Sequence, residues 1–213
     1  VQVSIVSRQV LASMVQNPRP TRAEMTDVAN AIFESADAII LGDETANGQF
    51  VVKAVETMAS IARNAEEATN YYALHSFTRD FSSKPFTTLE AACSCLARTT
   101  ADAAVSAVLT CTENGYPAQI VCKFRPQVPH IVLTSKRQLA AACSLYFGMV
   151  GVQLALESKS QAALSVEDAV KFAIAQATRR GAYTGGKVAV LHGTKTLSAD
   201  DDGVLSVLDP SRL

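Results

Sequence analysis

The chain has 213 residues, 48% of them apolar, with 19 Lys and Arg against 20 Asp and Glu. That is enough to bury a real core in one or two globular domains. A formal net charge of −1 builds no general field for nucleic acid or an anionic membrane. No apolar run approaches membrane-spanning length, and the N-terminus carries no signal-peptide pattern. Val1 stands where an initiator Met would, so a cropped or processed chain is expected and a removed targeting segment stays open. The cysteines (Cys93, Cys95, Cys111, Cys122, Cys143) are odd in number and sit in apolar or helical contexts, which reads as reduced core thiols. Cys93 and Cys95 would point to different helix faces, and no second pair or His cluster accompanies them as zinc would need.

In chain order, Val3–Val6 reads as a short strand and Ala38–Leu41 as a fully buried one. Between them Met25, Val28, Ala29, Ile32 and Phe33 share one helical face, opened by Thr21 and Glu24 at capping-box spacing behind Pro20. Val51, Val55, Met58, Ala62 and Ala65 predict a long helix to about Tyr72. This is β-α-β-α, two units of an α/β layer. Two parallel strands close no barrel and leave unpaired edges, so either another polypeptide completes the sheet or this region packs differently. Residues 75–86 are polar, aromatic-dotted and Pro-terminated, and read as a linker.

From Thr87 helical stripes alternate with strand candidates. The stripes are Leu89/Ala92/Cys93/Leu96, Ile120/Val121/Phe124, Leu139/Ala142/Cys143/Tyr146 and Val166/Ala169/Val170/Ala173/Ile174/Ala177. The last opens on Ser165 with Asp168 three later and closes at Gly181. The strand candidates are Ala104–Thr110, His130–Thr134, Val150–Leu156, Lys187–His192 and Val204–Leu208. The alternation predicts a doubly wound, mostly parallel, five-stranded sheet. The expected organisation is residues 1–74, a linker 75–86, and an α/β domain 87–213.

Three segments carry a family resemblance. Asn17-Pro18-Arg19-Pro20-Thr21-Arg22-Ala23-Glu24 resembles the segment linking the last two β/α units of the pyruvate kinase (β/α)8 barrel. Gly42-Asp43-Glu44-Thr45-Ala46-Asn47-Gly48 stands where that family has Ser-Gly-Glu-Thr-Ala-Lys-Gly. Lys123-Phe124-Arg125-Pro126 is similar to the family's Lys/Arg-Tyr/Phe-Arg-Pro. The resemblance implies a remnant of the (β/α)8 barrel followed by the family's C-terminal α/β domain, whose last strand runs antiparallel. It also implies a cytoplasmic setting, with an organelle left open, and no membrane insertion or nucleic-acid binding.

Pyruvate kinases move a phosphoryl group from phosphoenolpyruvate to ADP with divalent and usually monovalent cations, chemistry that rests on positioning and charge neutralisation. The family's essential Lys, Mg2+ carboxylates and K+ ligands precede this segment, so the resemblance implies no catalytic or metal site in these residues. Mg2+ and K+ would enter only with the rest of an active enzyme. At the retained rim, Val6-Ser7-Arg8-Gln9 stands for Cys/Ala-Ala-Thr-Gln, which puts Arg8 at the substrate-contacting Thr. Arg is far larger and accepts no proton at neutral pH. Gly42-Asp43 replaces Ser-Gly, losing a hydroxyl and adding a negative charge, and Asn47 replaces the Lys that meets nucleotide phosphate. The family's effector loop, Thr-x-Ser-Gly-Arg-Ser, cradles a sugar phosphate at a helix N-terminus. Here it is Thr112-Glu113-Asn114-Gly115-Tyr116-Pro117. Pro117 removes a hydroxyl and a backbone donor while suiting the first helical turn, and Glu113 adds like charge.

The late loop from Lys195 ends in Asp200-Asp201-Asp202-Gly203, which lacks the full EF-hand spacing and reads as a solvated acidic turn. His75, His130 and His192 read as surface or strand-end residues, and Arg179-Arg180 as a cationic helix end. Tyr71, Tyr72, Phe77 and Phe81 read as an aromatic cluster that packs the two blocks or meets a partner. The expected function is a catalytically inactive pyruvate kinase-like subunit with a protein partner or a second copy. The alternatives are the C-terminal portion of an active pyruvate kinase, or a small-molecule sensor with its crevice near Thr112–Pro117.

Overall fold

Helix periodicity and cap chemistry account for most elements of the computed structural model, which describes residues 2–154, 165–194 and 196–212. The chain divides into two units, Gln2–Asn70 and the residues from Tyr71 onward.

In the first unit β1 (Ile5–Ser7) and β2 (Ala38–Ile40) pair in parallel, with Ile5 opposite Ala38. α1 (Arg22–Phe33) connects them and begins on the expected capping box, the Thr21 hydroxyl and Glu24 carboxylate each accepting the other's backbone N–H. The same carboxylate accepts from the N–H and hydroxyl of Ser13, at 2.7 and 2.5 Å, in the short 3-10 turn Ala12–Val15. α2 (Asp43–Ala46) and α3 (Val51–Ala68) follow. Leu11, Met14, Val28 and Ala54 form the buried core, with Ile39, Leu41, Met58 and Ile61 against it. Burying side chains the size of Leu11 and Met14 stabilises the unit by about 1.5–3 kcal/mol each.

Two expectations fail in this unit. β2 is not fully buried: Ile39 faces the core while Ile40 is 52% exposed, because in this unit helices cover only one face of the strand pair. α3 stops at Ala68 rather than near Tyr72. Thr69 turns extended and its hydroxyl returns to the Ala65 carbonyl at 2.8 Å, satisfying a group the helix end would leave open.

The second unit opens on α4 (Tyr71–Asp80), where a linker over 75–86 was expected. Tyr71, Leu74, His75 and Thr78 make an inward face at helical spacing, and the polar residues that suggest a loop lie largely on the other side. α5 (Thr88–Asp102) starts on a second capping box, Thr87 with Glu90. The sheet comprises β3 (Val105–Cys111), β4 (His130–Thr134), β5 (Met149–Gln153), β6 (Lys187–His192) and β7 (Val204–Leu208), in the order β5-β4-β3-β6-β7. The first four are parallel and β7 is antiparallel to β6, as the resemblance implies. Residues 155 and 156 of the expected third strand lie outside the described residues.

α6 (Tyr116–Lys123), α7 (Arg137–Ala142) and α8 (Val166–Arg179) complete the unit. Ser165 accepts the Asp168 N–H at 3.1 Å to start α8. One sheet face packs α8 through Ala169, Val170, Ala173 and Ile174 against Leu109, Ile131, Val152 and Val190. The other packs Cys93, Leu96, Val121 and Phe124 against Val108 and Leu191. β4 and β6 flank β3 on opposite sides, so a topological switch point lies beyond the carboxyl ends of β3 and β6.

Candidate functional site

At the carboxyl ends of β1 and β2 the backbone, more than the side chains, is organised. Arg8 and Gln9 follow β1 with φ of 71° and 52°, a left-handed conformation that costs an L residue roughly 1–2 kcal/mol. The turn they make drops Val10 and Leu11 into the core and leaves the Arg8 side chain exposed. Gly42 is the N-cap of α2, and its N–H donates to Glu44 Oε2 at 2.7 Å. Glu44 Oε1 accepts the Leu11 N–H at 3.0 Å, so one carboxylate, 1% exposed, ties the exit of β1 to that of β2. Burial pushes the Glu44 carboxyl up, and the backbone N–H groups of Leu11 and Gly42 outweigh it, holding the group below the ordinary range. Gly48 has no room for a side chain, since a Cβ there would lie 2.3 Å from the Glu44 carbonyl oxygen.

Asp43 occupies the first turn of α2, exposed, where a negative charge complements the helix end. Asn47 caps the other end, with its amide 3.5 Å from Asp43 Oδ1. Gly42, Asp43 and Asn47 thus share one turn, with Arg8 at the end of the neighbouring strand. Together they present a guanidinium, a carboxylate and an amide. Among the described residues no group of three or more His, Cys, Asp or Glu is arranged to hold a metal ion.

In the second unit, the loop Thr112–Pro117 leads from β3 into α6. Gly115 is the helix N-cap at φ 83°, a left-handed conformation that favours glycine, and a Cβ there would push the Leu139 side-chain end, 2.6 Å away, aside. Pro117 sits in the first helical turn as expected. The loop's donors converge on Asp200: the Thr112 hydroxyl at 2.5 Å, the Glu113 N–H at 3.0 Å and the Asn114 N–H at 2.9 Å. The Gly115 N–H donates to Thr112 Oγ1 at 2.9 Å, and the Tyr116 N–H to Asn114 Oδ1 at 2.7 Å. The Glu113 carboxylate accepts from the Ser135 N–H and hydroxyl at 3.0 and 2.5 Å. Beside the loop, a cavity of about 350 Å³ lies at the ends of β3 and β4, lined by Cys111, Thr112, Leu133, Thr134, Leu154 and Leu197 among others.

Several expectations change here. The acidic turn is not simply solvated: Asp200 is hydrogen-bonded into the loop, and Asp202 accepts from the Thr194 N–H and hydroxyl. Lys195 of that turn lies outside the described residues. Glu113 is committed to Ser135 instead of standing as a free like charge. His75 is buried within α4, neither at the surface nor at a strand end, while His130 is a strand-end residue as expected but is fully buried. His75 Nε2 is 3.1 Å from the Ser94 carbonyl, with its ring against Phe124. His130, at the start of β4, meets Thr110 Oγ1 at 2.8 Å. Arg180 spans to the Gly151 carbonyl at 2.6 Å. The aromatics do not form one cluster: Phe77 stacks on Phe81, Tyr71 lies by Phe147, and Tyr72 lies under Arg98. Asp200 and Ser135 are the residues sequence reasoning missed. Nothing local signals that a carboxylate will cap a loop 88 positions away.

Family models match the chain over residues 2–55, as "Pyruvate kinase, barrel domain", and over residues 90–207, as "Pyruvate kinase, alpha/beta domain". Pyruvate kinase of Bacillus licheniformis is 43% identical over 145 residues, which are 68% of this chain and 24% of that protein. Pyruvate kinase of Dictyostelium discoideum is 39% identical over 165 residues, 72% of this chain and 32% of its own length. The crystal structure of a pyruvate kinase from Cryptosporidium parvum superposes with a TM-score of 0.84 at 28% identity, covering 98% of this chain and 40% of that one. The chain therefore spans about a quarter to two-fifths of the length of these relatives. Matched across both units, it belongs to the pyruvate kinase family.

Proposed function

We propose that these 213 residues act as a structural and interaction part of a pyruvate kinase-like protein, without a phosphoryl-transfer centre of their own. The observation that carries this reading is the rim of β1 and β2. Its side chains are Arg8, Asp43 and Asn47, and its one buried acid, Glu44, is spent on backbone N–H groups. Phosphoryl transfer needs cations around the phosphates. The exposed Asp43 carboxylate in the first turn of α2 repels a phosphate and offsets the charge of Arg8, and the amide at Asn47 adds none, so the rim holds no net positive charge. The site to be tested is therefore Arg8, Gly42, Asp43 and Asn47 as altered rim positions, and Thr112–Pro117 as an altered effector loop. A coupled assay for pyruvate formation from phosphoenolpyruvate and ADP, with Mg2+ and K+, is expected to show no turnover. Rates of about 1–100 s⁻¹, ordinary for kinases, would overturn the reading.

Contact surfaces fit a partner or a second copy. α1 exposes Met25 and Phe33, and β7 is an edge strand exposing Val204 and Val207. Light scattering should find an oligomer or complex, and a lone stable monomer would count against this part. Among the described residues no helix is long and apolar enough to cross a membrane, and by family likeness the setting is the cytoplasm. A second reading, the C-terminal portion of an active pyruvate kinase, is favoured by the partial coverage of every relative named above. The same assay on the complete gene product separates the two.

A further inference from the structure

We propose that Asp200 is a built-in anion: its carboxylate fills the donor cradle of the β3–α6 loop and latches residues 196–202 over the carboxyl end of β3, so the loop is held closed without an external ligand. Three donors from consecutive residues, Thr112 Oγ1, Glu113 N and Asn114 N, converge on the two oxygens of this one side chain. Successive N–H groups aimed at one point form a concavity suited to an anion. The backbone next to Asp200 is fixed to the same strand end, since the Ala199 N–H donates to the Cys111 carbonyl at 2.8 Å. The next backbone N–H groups of the loop are spent within it. Gly115 N–H goes to Thr112 Oγ1, Tyr116 N–H goes to Asn114 Oδ1, and Pro117 has none to give.

Thr112 links the two halves of the latch, its hydroxyl donating to Asp200 while accepting from Gly115. Leu197 and Ser198, just before the latch, line the cavity beside β3, so Asp200 also sets how open that cavity stands. A free anion entering the cradle must displace a tethered carboxylate whose effective concentration is on the order of millimolar or more. The latch is made only of hydrogen bonds within the α/β unit and is independent of the β1–β2 rim.

Amide hydrogen exchange on the full chain tests it, comparing wild type with Asp200→Ala and with the shape-preserving Asp200→Asn, and using inorganic phosphate as the probe. Hydrogen bonds to a charged acceptor are strong enough that losing them should speed exchange of the Glu113 and Asn114 amides roughly ten- to a hundredfold in Asp200→Ala. The Leu109 amide in β3 should keep its wild-type rate. Millimolar phosphate should slow the two loop amides again in the variant and leave wild type unchanged. If Asp200→Ala also loosens β3, the same comparison is read on Asp200→Asn, where a smaller acceleration is expected. Wild-type rates at Glu113 and Asn114 in a folded variant would overturn the latch. So would equal phosphate protection in wild type and variant.

Discussion

His130 offers the sharpest test of how the α/β unit is packed. Its imidazole is fully buried on β4, with Nε2 2.8 Å from the Thr110 hydroxyl and Nδ1 buried without a hydrogen-bond partner. Charging the ring would place a proton on a nitrogen with no acceptor, in an environment that cannot solvate it. Burial accordingly pushes its pKa down from 6.5 to about 3. The folded state keeps the ring neutral while the unfolded chain takes up a proton below about pH 6.5. The stability it protects is therefore full above that pH and drains as pH falls toward the folded value. Applying the linkage relation to those two values, this one group removes about 2 kcal/mol between about pH 7.5 and pH 5. The perturbation is His130→Leu combined with Thr110→Val, so that the Thr110 hydroxyl is not orphaned. Urea unfolding followed through exchange of β3 and β4 amides reports this unit, and His75, titrating in both proteins, cancels in the difference. Wild type should lose about 2 kcal/mol more than the double variant over that interval. Parallel pH slopes would show that water or a flexible wall reaches His130, and the packing argument would fall.

Glu44→Gln should destabilise the first unit by about 1–3 kcal/mol, because an amide cannot accept from both backbone donors. Faster exchange of the Leu11 amide is the readout. Because the Glu44 carboxyl is held below its ordinary range, its contribution is present above that range and lost as pH falls through the folded value. An acid titration of wild type against Glu44→Gln checks the sign. Burial pushes the thiols of Cys93 and Cys111 up to about 12 and that of Cys143 to about 11, while Cys95 is exposed. One thiol per chain should thus react promptly with Ellman's reagent near pH 8, the rest only on unfolding, and a second fast thiol would contradict the burial of the other four. Gly115→Ala should cost about 1 kcal/mol through its left-handed backbone, with the Leu139 side chain moving aside. A denaturation midpoint equal to wild type would refute that.

What the sequence made legible was local. Thr21 with Glu24 and Ser165 with Asp168 mark helix starts within three residues. His130–Thr134, Lys187–His192 and Val204–Leu208 are continuous apolar runs that admit little but a buried or half-buried strand, and their observed bounds match. The misses are cases where a distant partner decides. Residues 75–80 look like the start of a linker because half of α4 is polar, and only the packing of His75 against Ser94 and Phe124 shows which half turns inward. Ile40 reads as core because a run of apolar residues cannot reveal that a strand is covered on one face only. Asp200 reads as a solvated acid because its three donors stand 86 to 88 positions earlier.

The β1–β2 rim and the α6 loop use acid in opposite ways. At α2, Asp43 is exposed and meets only a long contact from Asn47, so its charge faces solvent and any approaching phosphate. At α6, Asp200 is consumed by three donors, and the cradle it fills presents little free charge of either sign. Screening by salt weakens the first effect beyond a Debye length, about 8 Å at physiological ionic strength, but leaves a short-range competition like the second largely intact. Raising ionic strength would therefore weaken the opposed fields of Arg8 and Asp43 at the β1–β2 rim and leave the α6 loop closed. Of the two, the hydrogen-bonded occupancy at α6 is the one that salt does not reverse.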